Sequence, residues 1–151
     1  YIRIARPVCK QITFESDPFI PGKANIMKNG KDVCIIACGL MMPIALEAAE
    51  KLTVEGIDAA VVNMHTIKPI DKECILKMSR QCKGIVTAEE HSVIGGLGSA
   101  VAEVLAAEGN TRMAMVGIED KFGMSGKPAD LFREYGLTAE HIVEECKALL
   151  N

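Results

Sequence analysis

Four apolar runs of strand length, separated by stretches of helical periodicity, constrain this chain more than any other feature. The runs are Val33-Cys34-Ile35-Ile36-Ala37-Cys38, Ala59-Ala60-Val61-Val62-Asn63, Ile85-Val86-Thr87-Ala88 and Met113 to Ile118. A strand that is apolar along nearly its whole length is covered on both faces. The intervening segments are amphipathic. Pro43 suits a first helical turn, and Ile44, Ala48, Ala49 and Leu52 form a stripe that Gly56 ends. Asp71 can cap a helix with the stripe Cys74, Ile75, Met78 and Cys82, closed by Gly84. Leu97, Ala100, Val101, Val104 and Leu105 predict a helix from about Gly96 to Glu108. Pro128 to Tyr135 reads as a short helix before Gly136. Thr138 caps a last helix that turns Ile142, Val143, Cys146, Leu149 and Leu150 inward. Parallel strands need crossover connections, so the alternation predicts a mostly parallel sheet with helices on both sides, a three-layer α/β/α sandwich. Upstream, Ala24 to Lys28 predicts a short strand and Asn29-Gly30 a chain reversal. Tyr1-Ile2-Arg3-Ile4 reads as the end of a strand, after which Pro7, Pro18, Pro21 and Gly22 break regular structure.

A chain of 151 residues suits one domain. At that size roughly 68–70% of the unfolded surface is buried on folding, so a core forms without disulfides or metal. A formal net charge of -3 and a pI near 5.7 argue against nucleic acid or an anionic membrane as the main partner, because both require a basic face. The longest apolar stretch, Val33 to Leu46, contains Gly39 and Pro43 and falls short of the about 20 residues that span a bilayer. The sequence starts at Tyr1 rather than Met, and no continuous apolar signal follows Arg3 and Arg6. It reads as a cut inside a longer protein. The cysteines Cys9, Cys34, Cys38, Cys74, Cys82 and Cys146 form no C-x-x-C pair. They read as small core residues of a reduced, cytoplasmic protein.

In open α/β sheets, function collects at the carboxyl ends of the strands. The segments there are Gly39 to Met42, Met64 to Pro69, Glu89 to Ser99 and Glu119 to Lys127. The cluster Gly95-Gly96-Leu97-Gly98 opens a helix and invites a phosphate reading. The dinucleotide fingerprint fails, however, because its third small residue would fall at Val101. The Glu89-Glu90 pair also puts negative charge beside the supposed pocket, and tight packing of the helix start is the better account. Gly123-Met124-Ser125-Gly126-Lys127 misses the Walker pattern at Lys121 and Pro128, and misses the nucleophile elbow by one residue. It reads as a mobile or interface loop. His65 and His91 could approach one another with Glu89 or Glu90, but no short ligand spacing supports a metal site. They read as hydrogen-bonded interface histidines, and His141 as a solvated residue on the outer face of the last helix. No catalytic set emerges.

Taken in order, these segments resemble the C-terminal domain of transketolases. The resemblance rests on Tyr1-Ile2-Arg3-Ile4-Ala5-Arg6, Gly22-Lys23-Ala24, Asp32 to Gly39 and Val62-Asn63-Met64-His65-Thr66-Ile67-Lys68-Pro69-Ile70-Asp71. It continues through Val86 to His91, Gly95 to Ala100, Asp120-Lys121-Phe122-Gly123-Met124-Ser125-Gly126 and Tyr135-Gly136-Leu137-Thr138. It implies a mixed five-stranded sheet with the first strand antiparallel, and two parts. Residues 1–22 would end a preceding pyrimidine-binding domain and its linker, and residues 23–151 would form the C-terminal domain. It further implies a parent that transfers a two-carbon ketol unit between sugar phosphates in the pentose phosphate pathway. Thiamine diphosphate and Mg would be held by the pyrimidine- and pyrophosphate-binding domains of a homodimer. This domain would assist assembly, bind no cofactor itself and be inactive alone. Arg6 matches an arginine that binds the sugar phosphate, although Pro7 stands where many transketolases have Gln. The implied interface comprises His65, His91, Gly95, Gly96, Gly98 and Phe122. 1-Deoxyxylulose-5-phosphate synthase and the beta subunits of 2-oxoacid dehydrogenases share the domain and are the alternative parents. A pure dimerisation module is the non-enzymatic alternative.

Overall fold

The computed structural model describes residues 1–109 and 111–151. In chain order the elements are β1 (Asn25–Lys28), β2 (Val33–Ala37), α1 (Met41–Val54), β3 (Ala59–Asn63) and α2 (Lys72–Gln81). They continue with β4 (Gly84–Ser92), α3 (Leu97–Glu108), β5 (Arg112–Ile118), α4 (Pro128–Glu134) and α5 (Ala139–Leu150). The sheet order is β1-β3-β2-β4-β5. β2, β3, β4 and β5 are parallel, and β1 runs antiparallel along β3.

The period of two along each strand divides the sheet between two cores. Val33, Ile35 and Ala37 of β2, Ala59 and Val61 of β3, and Val86 and Ala88 of β4 face α1 and α5. Cys34 and Ile36, Ala60 and Val62, and Ile85 face α2 and α3. Both faces are therefore dry, which is why β2 and β3 are buried at every position. The three-layer sandwich and its one antiparallel strand agree with the sequence reading.

The helix caps agree as well. Asp71 accepts from the Cys74 N–H at 3.1 Å, and Thr138 from the His141 N–H at 3.3 Å. Four local readings need correction. α2 stops at Gln81, and Cys82 is an extended, buried residue that leads into β4 rather than a part of the helical stripe. Gly84 opens β4 rather than closing the helix. β4 itself continues four residues past Ala88, because after a register shift Ser92 pairs with Ile118 of β5. Finally, residues 1–4 form no strand; all four are exposed and none joins the sheet.

Candidate functional site

The connection from β2 leads through α1 toward one edge of the sheet, while that from β4 leads through α3 toward the other. The adjacent carboxyl ends of β2 and β4 thus form the switch-point crevice where α/β folds usually receive a ligand. Here the crevice is filled by the chain itself. Glu89, at the end of the dry part of β4, is only 2% exposed. Its two carboxylate oxygens accept from the N–H groups of Leu97 and Gly98, each at 2.7 Å. α3 has no cap from its own N-cap residue, Gly96. Glu89 supplies one from eight residues upstream, satisfying two of the open N–H donors of the first turn and placing a negative charge at the positive end of the helix.

Two glycines make this possible. A Cβ on Gly96 would run into the Glu89 carboxylate, and one on Gly98 would lie 2.8 Å from Sδ of Met115. Both residues are buried, so their close approaches lie within this chain. Gly95 is exposed and left-handed, with φ 76°. Sequence reasoning counted Glu89 against a bound phosphate and missed that it takes the phosphate's place. The available signal was a helix start with glycine and no Ser, Thr, Asp or Asn, preceded by an acid at the end of an apolar strand.

Cys38 lies in the same crevice. Burial, with the nearby Glu89 charge second, raises its thiol to about 11. It is therefore a neutral thiol near pH 7, not a nucleophile.

The predicted rim residues are spread along this end of the sheet. The Nδ1 of His65 is 2.9 Å from the Thr66 hydroxyl, and the Phe19 ring lies over its imidazole with centroids 4.5 Å apart. Its Nε2 is buried without a partner. His91 is exposed; its Nδ1 lies 2.9 Å from the Ser92 carbonyl oxygen and 4.0 Å from Glu89. The two histidines are not brought together as ligands. Among the described residues no group of three or more His, Cys, Asp or Glu side chains could hold a metal ion. Arg3 reaches Glu90 at 3.7 Å, whereas Arg6 is exposed and makes no hydrogen bond or ion pair among the described residues. Phe122 is 99% exposed and Met124 is exposed beside it. Their loop is held by the Tyr135 hydroxyl, which donates to the Phe122 carbonyl at 2.9 Å. His141 differs from expectation. It is half-buried, with Nδ1 2.9 Å from the Gly136 carbonyl oxygen and Nε2 3.6 Å from Glu145, because the first turn of α5 packs back onto the turn at Gly136.

A doubly wound sheet whose switch point is closed by its own carboxylate, and whose rim exposes apolar side chains, defines a domain of the open, doubly wound α/β class. The comparisons give the family. Residues 22–142 match the family "Transketolase, C-terminal domain", and the chain belongs to it. It is 46% identical over 143 residues to the 6-deoxy-6-sulfo-D-fructose transketolase subunit SqwH of Clostridium sp. strain MSTE9, covering 95% of this chain and 44% of that protein. It is 43% identical over 131 residues to 1-deoxy-D-xylulose-5-phosphate synthase of Heliobacterium modesticaldum, covering 86% of this chain and 20% of that enzyme. A solved structure described as a split gene transketolase, inactive beta4 tetramer, superposes with a TM-score of 0.91 at 47% identity, over 94% of this chain and 46% of that one. The chain thus spans less than half the length of these relatives. The family implies thiamine diphosphate in the parent enzyme. The residues present here do not fit that cofactor, because the helix end suited to a diphosphate is taken by Glu89. No helix is long and apolar enough to cross a membrane among the described residues.

Proposed function

We propose that this chain is the C-terminal domain of a transketolase that moves a two-carbon ketol unit between sugar phosphates, and that its part is assembly rather than chemistry. The observation that carries this reading is Glu89. Its two 2.7 Å hydrogen bonds close the site where this fold would otherwise take a phosphate. Thiamine diphosphate and Mg then belong to pyrimidine- and pyrophosphate-binding domains, on the same chain or on a partner subunit, within a cytoplasmic homodimer. Residues 1–22 are the end of the pyrimidine-binding domain and its linker, and residues 23–151 the C-terminal domain. Arg6 is the phosphate-binding candidate, since a guanidinium suits a phosphate through paired hydrogen bonds. The rim of His65, His91, Gly95 and Phe122 faces the partner domains, with Gly96 and Gly98 shaping the loop from beneath.

The complete protein, supplied with thiamine diphosphate and magnesium, should transfer a ketol unit to a pentose phosphate. The name of the clostridial relative makes 6-deoxy-6-sulfo-D-fructose a second donor worth assaying. Condensation of pyruvate with glyceraldehyde phosphate instead of ketol transfer would move the assignment to the synthase, which the relative from Heliobacterium favours. Calorimetry on the 151-residue chain should give no heat with thiamine diphosphate and magnesium; micromolar binding there would refute the accessory role.

A further inference from the structure

The segment before β1 crosses the switch-point crevice. The guanidinium of Arg3 lies 3.7 Å from the Glu90 carboxylate. Both groups also act on the Cys38 thiol in the crevice. Burial and the Glu89 charge raise that thiol, Arg3 opposes the rise and Glu90 adds to it. The pair therefore stands at the crevice mouth, and its two ends differ in firmness. Glu90 belongs to β4 and follows Glu89, whose two hydrogen bonds fix the strand end. Arg3 lies on a segment that forms no helix or strand before β1. That segment meets the domain again at Ile12, which packs on the core that α1 and α5 cover. Between these two anchors the chain bends at Arg6 and Pro7. Pro7 fixes its own φ and disfavours helical backbone at Arg6. Three residues of extended chain reach at most about 11 Å, so the Arg6 backbone stays within that distance of the Arg3 backbone. Arg6 is thus carried on a short, stiff bend, exposed and without an ion-pair partner among the described residues.

We infer that the Arg3–Glu90 ion pair positions Arg6 for the substrate phosphate, so that β4 of this domain helps to set the affinity for phosphorylated substrates. The inference rests on the reading of Arg6 as the phosphate-binding residue and adds the two residues that hold it. In the proposed division of the chain, Arg3 ends one domain and Glu90 belongs to the next, so the pair fixes the Arg6 bend between them. A guanidinium binds a phosphate through two parallel hydrogen bonds, and a displaced backbone weakens both while the charge is kept. A bend left free would have to be ordered at each binding event, which lowers affinity further. Arg3 and Glu90 act through Arg6 and are positioning residues. Both are partly exposed, and ion pairs of that kind seldom shift an equilibrium by more than about fivefold. A change of that size leaves the fold intact and is readable in a KM.

The test is steady-state kinetics on the complete protein with thiamine diphosphate and magnesium. KM is measured for a phosphorylated ketose and for a ketol donor that carries no phosphate. Glu90→Gln and Arg3→Gln should each raise the KM of the phosphorylated ketose about three- to fivefold. The two changes together should raise it no further, because they remove one interaction. The value of kcat and the KM of the phosphate-free donor should move less than about twofold, since only binding through Arg6 is altered. Exchanging the charges, Arg3→Glu with Glu90→Arg, should bring the KM back to within about twofold of the original. Arg6→Gln runs in parallel and should raise the same KM at least about tenfold, the loss of a hydrogen-bonded charge. If Arg6→Gln raises it and the Arg3 and Glu90 variants do not, the positioning role is overturned and the phosphate reading stands. If Arg6→Gln leaves it unchanged, or the complete protein transfers no ketol unit, that reading fails and the inference fails with it. Equal rises for both donors, or a charge exchange that does not recover, mark a general disturbance and overturn the positioning role as well.

Discussion

Glu89 is the residue on which the strand ends depend. Its carboxylate is buried, and apart from the exposed His91 at 4.0 Å it meets only the helix N–H groups, which are what it exchanges for water. Glu89→Gln keeps one carbonyl oxygen but turns an NH2 group toward an N–H donor. We expect a loss of about 2–3 kcal/mol, the cost of leaving a buried polar group unpaired. Glu89→Ala should cost as much or more, because the start of α3 then loses both caps. Urea unfolding of the isolated chain measures both; losses under about 0.5 kcal/mol would mean that water replaces the carboxylate freely. The cysteines give a pH signature. Burial raises the thiols of Cys74 and Cys82 to about 11 and that of Cys146 to about 12, and raises Cys34 well above the ordinary 9.0. These groups hold their protons more tightly folded than unfolded. Their contribution is fully present below pH 9 and is lost as the pH climbs through 11, at up to roughly 1 kcal/mol per thiol per pH unit. Denaturation titrations from pH 8 to 11 should show stability falling only above about pH 9, and a serine at Cys146 should flatten that fall.

Among the elements, α2 shows how a single side chain can set a junction. Asp71 caps its first turn through the Cys74 N–H and also accepts from the Ala24 N–H at 2.9 Å, where the chain enters β1. Lys23 stands 3.9 Å from the same carboxylate. Asp71→Ala should cost about 2–3 kcal/mol, more than the ~1 kcal/mol of an ordinary cap, because two backbone donors lose their partner. Hydrogen exchange should report the loss first at β1 and the start of α2; uniform loosening would point to a global effect. The cap was legible because Asp before a periodic stretch is a local signal. So were the dry strands, whose apolar runs state their own burial, and the antiparallel edge, which came with the family resemblance. The extension of β4 to Ser92 was not legible, since it depends on pairing with β5 after a register shift. Neither was the Glu89 cap. It joins residues eight and nine apart through a loop, and no local pattern marks a cap that reaches back from the preceding strand.

For the whole molecule, the question is what covers Phe122. A monomer gains nothing by exposing a phenylalanine fully, and the loop that presents it is held outward by the Tyr135 hydroxyl rather than folded onto the core. Burying such a side chain in a partner contributes about 1.5–3 kcal/mol. We therefore expect Phe122→Asp in the complete protein to weaken its association at least tenfold. The melting temperature of the isolated chain should be unchanged, because a fully exposed position seldom moves stability by more than about 0.5 kcal/mol. Tyr135→Phe removes only the hydroxyl that holds the loop. It should weaken association by less, through the entropy of a freer loop, and leave the apolar contact available. This order of effects separates a docking residue from a folding residue: a core role for Phe122 would lower the melting temperature first and association only as a consequence. Light scattering alongside thermal melts of the two variants decides it. If the complete protein keeps its mass and its concentration dependence after Phe122→Asp, this loop is not where the domain meets its partners.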